Sequence, residues 1–317
     1  MIPILTLTLN PALDLATSAE AVRADTKLRC APPRIDPGGG GINVARAVRQ
    51  LGGDAFALVA AGGPTGAQLQ ALLAAEGVLT GLLAAPGDTR ISLSVADEAT
   101  GAQYRFMLPG PEWHEADVAI ALSMLKSAIT PGGYCVLSGS QPPGLADGFP
   151  ADFARTCAER GAKLVVDTGG RPLAALVAEP GPGVELLRMN HEEAEELAGR
   201  AFASPAESAG YAASLVARGV ARIVVLARGG EGSVMVAEGL RVQCRAPQVP
   251  IKSKVGAGDS FVAGLTLALA RGLAPQEALR HGVASASAAV MTEGTALCRR
   301  EDVEALLPKC KLVEIAA

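Results

Sequence analysis

The apolar residues Ile4, Leu5, Leu7 and Leu9 crowd ILTLTL, which predicts a β-strand over 4–9. The spacing then changes. In INVARAVRQLGG (42–53), Ile42, Ala45, Val48 and Leu51 recur at helical intervals and a glycine pair closes the run, so a helix is predicted there. FALVAAGG reads as strand and turn, and TGAQLQALLAAEG as helix. Further on, YCVLSGS, KLVVDTGG, VELLRMN and RIVVLARGG are short apolar strand candidates joined by helical-looking segments. Beyond residue 240 the pattern turns to helices, SFVAGLTLALARG and PQEALRHGVASASAAVMTEG. Alternation of this kind implies βαβ units and an α/β fold whose mostly parallel sheet is covered on both faces.

Two stretches break that rhythm. Residues 14–36 are polar and irregular, with LRCAPPRI as one strand candidate. TRISLSV and AQYRFML flank a DEATG turn and read as a hairpin. Neither carries a helix. The expectation is one domain over 1–317 with a small inserted β-sheet lid, contributed by segments at roughly 14–36 and 88–108.

Composition narrows the function. A chain of 317 residues, 49% hydrophobic and 19% charged, can bury a large core; one Trp, three Tyr and six Phe leave that core to small aliphatics. A net charge of −4 argues against a general nucleic-acid binder, although a small anionic substrate needs only a few local cations. Six cysteines without a C-x-x-C pair point to thiols in a reducing compartment. The N-terminus has no basic leader, and AGLTLALA falls far short of a membrane span, so a cytoplasmic protein is expected. The three histidines lack metal-ligand spacing, and neither H-E-x-x-H nor G-x-S-x-G occurs, which weakens hydrolase readings.

Residues 37–48, PGGGGINVARAV, run four glycines into a helix, yet Asn43 stands where a dinucleotide fingerprint needs its last glycine, and no Gly-Lys-Ser/Thr follows. The stronger signal is VGAGDS (255–260) at the start of an apolar helix. The amides of Gly256, Ala257 and Gly258 would form an anion-binding nest. Asp259 beside them is open to two readings, a helix cap or a general base next to developing negative charge. Asn190 and Glu193 share a helix face: a capping box is the ordinary meaning, and a nucleotide-and-magnesium edge the alternative. Arg90, Arg105 and Lys27 are either solvated positions or a phosphate clamp.

TLTLNPALD, PGGGGINVARA, SGSQPPG, N-x-x-E and VGAGDS occur in the order found in the ribokinase-like carbohydrate kinases of the PfkB family, and the resemblance runs from about residue 4 to about 305. TKLRC, GAQYRF, GTALC and Gly40, where other phosphosugar kinases carry lysine, resemble its ATP-dependent 6-phosphofructokinase branch. The resemblance implies a ribokinase-like three-layer sandwich and phosphoryl transfer from ATP to the C1 hydroxyl of fructose 6-phosphate. Fructose 1-phosphate and tagatose 6-phosphate are the neighbouring substrates; a non-catalytic sugar-phosphate sensor is a rival of another class. It further implies that Asp14, Gly39, Gly40 and Asn43 hold sugar hydroxyls, while Arg90, Arg105, Ser140 and Lys27, the last from a partner subunit, surround the phosphate. Asp259 would be the base and the 256–258 amides the phosphoryl cradle. Arg188, Asn190, Gly229 and Gly232 would meet ATP, with Glu193 reaching Mg2+ through water. Ser253, Val255, Ala289, Thr292 and Gly294 would form a monovalent-cation loop suited to K+. A homodimer through the lid is implied too. Three positions depart from the family pattern, Arg188-Met189 for Lys-Pro, Lys254 for Thr and Ala227 for Ser/Thr, all on the nucleotide side.

Overall fold

A strand buried at every position must be covered on both faces, and the first strand shows how. In β1 (Ile4–Thr8), Ile4 packs into one hydrophobic cluster and Leu5 and Leu7 into another on the opposite face. The computed structural model describes residues 2–316. The chain next forms β2 (Ala12–Ala19), β3 (Arg34–Gly38), α1 (Gly40–Gln50), β4 (Phe56–Ala61), α2 (Gly63–Ala75) and β5 (Leu79–Ala84). A hairpin of β6 (Arg90–Asp97) and β7 (Gln103–Met107) follows, then α3 (Glu115–Ala128), β8 (Tyr134–Ser138), α4 (Phe149–Glu159), β9 (Lys163–Asp167) and α5 (Gly170–Ala178). The second half continues with β10 (Val184–Asn190), α6 (His191–Ala198), α7 (Pro205–Ala217), β11 (Ile223–Ala227), β12 (Ser233–Ala237) and β13 (Leu240–Arg245). It ends with α8 (Ala257–Ala270), α9 (Pro275–Ala289), α10 (Arg300–Leu306) and β14 (Lys311–Glu314).

A 10-stranded sheet runs in the order β14-β13-β12-β11-β10-β9-β8-β1-β4-β5. From β11 to β5 all neighbours are parallel, while β12, β13 and β14 close one edge antiparallel. Side chains of α1, α2, α8 and α9 cover one face, and those of α3, α4, α5 and α7 cover the other. This is the three-layer α/β sandwich expected. α8 is buried at every position from Ser260 to Ala270, which explains why AGLTLALA reads as uniformly apolar.

A second, 4-stranded sheet has the order β3-β2-β6-β7. The hairpin about 97–101 forms as expected. Two expectations are corrected. Part of the irregular 14–36 stretch is strand β2, where Asp14, Thr17 and Ser18 hide the alternation. The candidate LRCAPPRI gives only an isolated bridge at Cys30; the strand begins at Arg34, because Pro32 and Pro33 have no N–H to donate. The turn to helices past 240 is also incomplete, since β13 and β14 lie there. No helix among the described residues is long and apolar enough to cross a membrane.

Candidate active site

In an open parallel sheet, ligands gather at the carboxyl ends of the strands, where the chain switches direction across the sheet. Here the switch falls between β1, from which the order proceeds to β4 and β5, and β8, which begins the progression the other way. The glycine run sits in that crevice. A Cβ on Gly40 would lie 2.5 Å from the Ser138 carbonyl carbon, and one on Gly41 2.4 Å from the Leu7 oxygen. Gly39 has φ +121, and a Cβ there would meet Thr8 at 2.7 Å. Glycine is therefore required because α1 begins wedged against the ends of β1 and β8.

Asp259 lies half-buried in the first turn of α8 beneath that wedge. The helix is capped by Gly256 in the left-handed conformation, without a side-chain cap. The Asp259 carboxylate accepts instead from Asn43 Nδ2 at 3.0 Å and Ser138 Oγ at 3.2 Å. Burial pushes its pKa up to about 6; Asn43, Ser138 and Arg188 pull it down and Asp167 pushes it further up. The capping reading fails, and a carboxylate able to take a proton near neutral pH remains. The amides at 256–258 precede the first intrahelical bond, from the Ser260 N–H to the Gly256 carbonyl at 2.9 Å, and the Ala257 N–H donates to the Lys254 carbonyl at 3.5 Å.

On one side of Asp259 stands the small sheet. β2 pairs with β6 so that Asp14 is opposite Ser92 and Ala12 opposite Arg90. The Asp14 carboxylate lies against Gly38, where a Cβ would come within 2.3 Å. Burial raises its pKa, while Arg90, Ser92 and Arg105 oppose the rise. Arg90 donates through Nε and Nη2 to the Asn10 carbonyl, each at 3.3 Å, and Asn10 Nδ2 donates to Ser140 Oγ at 3.1 Å and to the Gln141 oxygen. Asn10 thus joins the arginine to the 138–144 loop. Trp113, 2% exposed, lies under that loop, its backbone N–H donating to the Pro143 carbonyl at 2.8 Å. Arg105 is exposed on β7. Lys27 sits in the exposed β2–β3 connection and makes no side-chain hydrogen bond or ion pair among the described residues.

On the other side is a cavity of ≈ 600 Å³ lined by Arg188, Asn190, Gly229, Gly232, Lys254, Gly258 and Phe261, with Val249, Ile251, Val283 and Val290 as apolar wall. Its size and mixed lining suit a nucleotide. Arg188 pairs with Asp167 at 2.9 Å and lies over the Phe261 ring at 5.9 Å from the centroid. Burial opposes the Arg188 charge, but Asp167, Glu193 and Asp259 raise its pKa on balance. Asn190 and Glu193 form the reciprocal capping box: Oδ1 accepts from the Glu193 N–H and Oε2 from the Asn190 N–H, each at 2.8 Å. Oε1 of Glu193 points toward Gly169, and burial raises the pKa of the carboxyl. The capping role occupies Oε2 and leaves Oε1 outside the box, on the Gly169 side, one residue along from the cavity-lining Glu192.

Behind α8, Ser253 Oγ donates to the Gly294 carbonyl at 2.8 Å and accepts from the Val255 N–H. Thr292 Oγ1 bonds the Ala289 and Ala296 carbonyls. The two segments expected to form a cation loop are thus neighbours. Asp167 was not anticipated from sequence; a polar residue ending an apolar strand before glycines, VVDTGG, is the signal that could have found it.

Residues 7–302 match the pfkB family of carbohydrate kinases. ATP-dependent 6-phosphofructokinase isozyme 2 of Mycobacterium tuberculosis is 40% identical over 301 residues, covering 95% of this chain and 88% of that one. Its namesake in Escherichia coli K12 is 40% identical over 304 residues, covering 96% and 97%. The 1-phosphofructokinase of Bacillus subtilis is 31% identical over 312 residues, covering 98% and 100%. Escherichia coli phosphofructokinase-2, solved in complex with potassium, superposes with TM-score 0.91 at 38% identity over 98% of this chain and 99% of that one. Structures of that enzyme with fructose 6-phosphate and as a tetrameric inhibited form give TM-score 0.90.

Proposed function

This chain belongs to the pfkB family of carbohydrate kinases, and we propose that it moves the γ-phosphoryl group of ATP to the C1 hydroxyl of fructose 6-phosphate. The products are fructose 1,6-bisphosphate and ADP. One observation carries this reading: the Asp259 carboxylate bonds Ser138, whose loop is joined to Arg90 through Ser140 and Asn10, and it follows Ala257 and Gly258, which line the nucleotide-sized cavity, so an alcohol and a γ-phosphate would meet there. The C1 oxygen attacks phosphorus, its proton passes to Asp259, and the bond to the ADP oxygen breaks. Because such transfers need little covalent chemistry from the protein, alignment and charge carry the rate.

In this reading Asp14, the Gly39 and Gly40 backbone and Asn43 hold the sugar hydroxyls, and Arg90, Arg105 and Ser140 grip the existing phosphate. Lys27 reaches that phosphate from a second copy in a homodimer paired through the small sheet, which acts as a lid and excludes water. That role fits its exposure in the β2–β3 connection, at the edge of the small sheet. Gly256, Ala257 and Gly258 cradle the moving phosphoryl group. Arg188, Asn190, Gly229 and Gly232 hold the nucleotide. The hard oxygens at Glu193 and Asn190 fit Mg2+ bound mainly by ATP phosphates, an ion that supplies charge neutralisation when present. The oxygen-lined meeting of Ser253, Val255, Ala289, Thr292 and Gly294 fits K+, in keeping with the potassium complex of the Escherichia coli relative. The enzyme would work in the cytoplasm, where both substrates are made.

The neighbouring reading is the same chemistry on fructose 1-phosphate or tagatose 6-phosphate, supported by the Bacillus relative. ADP release measured across the three sugars decides: kcat/KM is expected to be highest for fructose 6-phosphate. An equal or better value on another sugar reverses the choice, and sugar binding without turnover would mark a sensor.

A further inference from the structure

Asn43 touches Asp259 with one end of its amide, and nothing in an amide's shape decides whether that end is nitrogen or oxygen. The other end decides it. Arg46, one helical turn along α1, donates through Nη1 to Asn43 Oδ1 at 3.3 Å and to the Pro37 carbonyl at 3.1 Å. A guanidinium only donates, so it holds the Asn43 oxygen toward itself and the NH2 group toward Asp259. Arg46 is in turn gripped by Glu76 at the end of α2, Nε to Oε2 at 2.6 Å and Nη2 to Oε1 at 2.8 Å. Its side chain is 6% exposed, buried away from the basin where substrate would lie. Pro37 precedes Gly38, against which Asp14 rests, so the same guanidinium ties strand β3 to the helix that carries Asn43.

We propose that Arg46, clamped by Glu76, is a positioning residue for the reaction: it fixes the Asn43 amide so that an N–H, never the oxygen, meets the Asp259 carboxylate. The inference rests on Asp259 being the base. A flipped amide would set an oxygen lone pair against that carboxylate, favour its protonated form and turn its lone pairs away from the C1 hydroxyl. Ser138, Arg188 and Asp167 also face Asp259, and none of them touches Asn43. The bidentate geometry matters as well as the charge: a lysine at 46 keeps the cation but cannot bond Glu76 twice and still reach Asn43 and Pro37.

The test compares Arg46→Lys and Glu76→Gln with wild type in steady-state kinetics from pH 5 to 9, with Asp259→Asn as reference. Expected is a kcat lower by about tenfold in Arg46→Lys, KM for fructose 6-phosphate changed by less than about threefold, and the acid limb of the rate profile moved to higher pH. Glu76→Gln, changed at the outer end of the chain, should move the limb the same way by less. Because Arg46→Lys keeps the positive charge, a moved limb reports lost orientation and not lost charge. Folded variants with an unmoved limb and full kcat overturn the proposal, and if Arg46→Lys does not fold, Glu76→Gln decides alone. An active Asp259→Asn would instead remove the premise, a separate outcome.

Discussion

An aspartate in the first turn of a helix ordinarily stabilises that turn, but Asp259 spends both carboxylate oxygens on Asn43 and Ser138. Its acidic position beside the amide nest could be read in VGAGDS. Its partners could not, since they lie 216 and 121 residues away and only the crossing of α1, β8 and α8 unites them. The pairing of Arg188 with Asp167 was hidden at shorter range: 21 residues separate them, and only the pairing of β10 with β9 sets them opposite each other. Because burial holds the folded pKa near 6 against an ordinary value of 3.8, the native state binds this proton more tightly than the unfolded chain. Stability from that proton is present below pH 3.8 and is lost as pH rises through about 6. Asp259→Asn escapes the loss, because its oxygen can accept from Asn43 while its nitrogen donates to Ser138 Oγ. Thermal melts should therefore show a higher Tm than wild type at pH 8, with the gap narrowing toward pH 5, while kcat falls by at least about a thousandfold. Wild-type turnover in this variant would take Asp259 out of the mechanism.

At the scale of elements, strands β1, β4, β8, β9, β10 and β11 and the helices α1, α2, α8 and α9 were legible from their apolar runs and spacing, whereas β5, β12 and β13 were not. Strand β2 was not either, because its middle positions are only partly buried and Asp14, Thr17 and Ser18 interrupt the alternation. The terminal strand β14 is short and half-exposed, and escaped notice for the same physical reason. The glycine run gave its location but not its cause: its φ and its contacts serve the wedge between β1 and β8 before they serve any ligand. Gly40→Ala tests this. The added methyl would meet main-chain atoms of Ser138 and Gly139, which cannot rotate aside. A stability loss of about 1–3 kcal/mol is expected in urea unfolding, together with a drop in kcat as Ser138 and Asp259 move apart. An unchanged midpoint would show that the wedge has room to spare.

At the scale of the molecule, both segments of the small sheet were legible as interruptions of a strand–helix rhythm, whereas their pairing through β2 and β6 was not. Along β7, Tyr104 and Phe106 share one face of that sheet, 40% and 52% exposed, an apolar pair notable for a chain with so few aromatics. The homodimer proposed above would bury this pair. Phe106→Glu is expected to halve the mass seen by light scattering and, by withdrawing Lys27 of the second copy, to raise KM for fructose 6-phosphate by about tenfold. An unchanged mass and KM would place the interface elsewhere.

Trp113 is the single tryptophan of the chain and lies under the 138–144 loop that carries Ser140. Nature has thus given the molecule one built-in fluorophore at the spot where a phosphosugar would settle. Its ultraviolet emission should serve as a label-free optical gauge of sugar occupancy, with no competing indole signal from the rest of the chain.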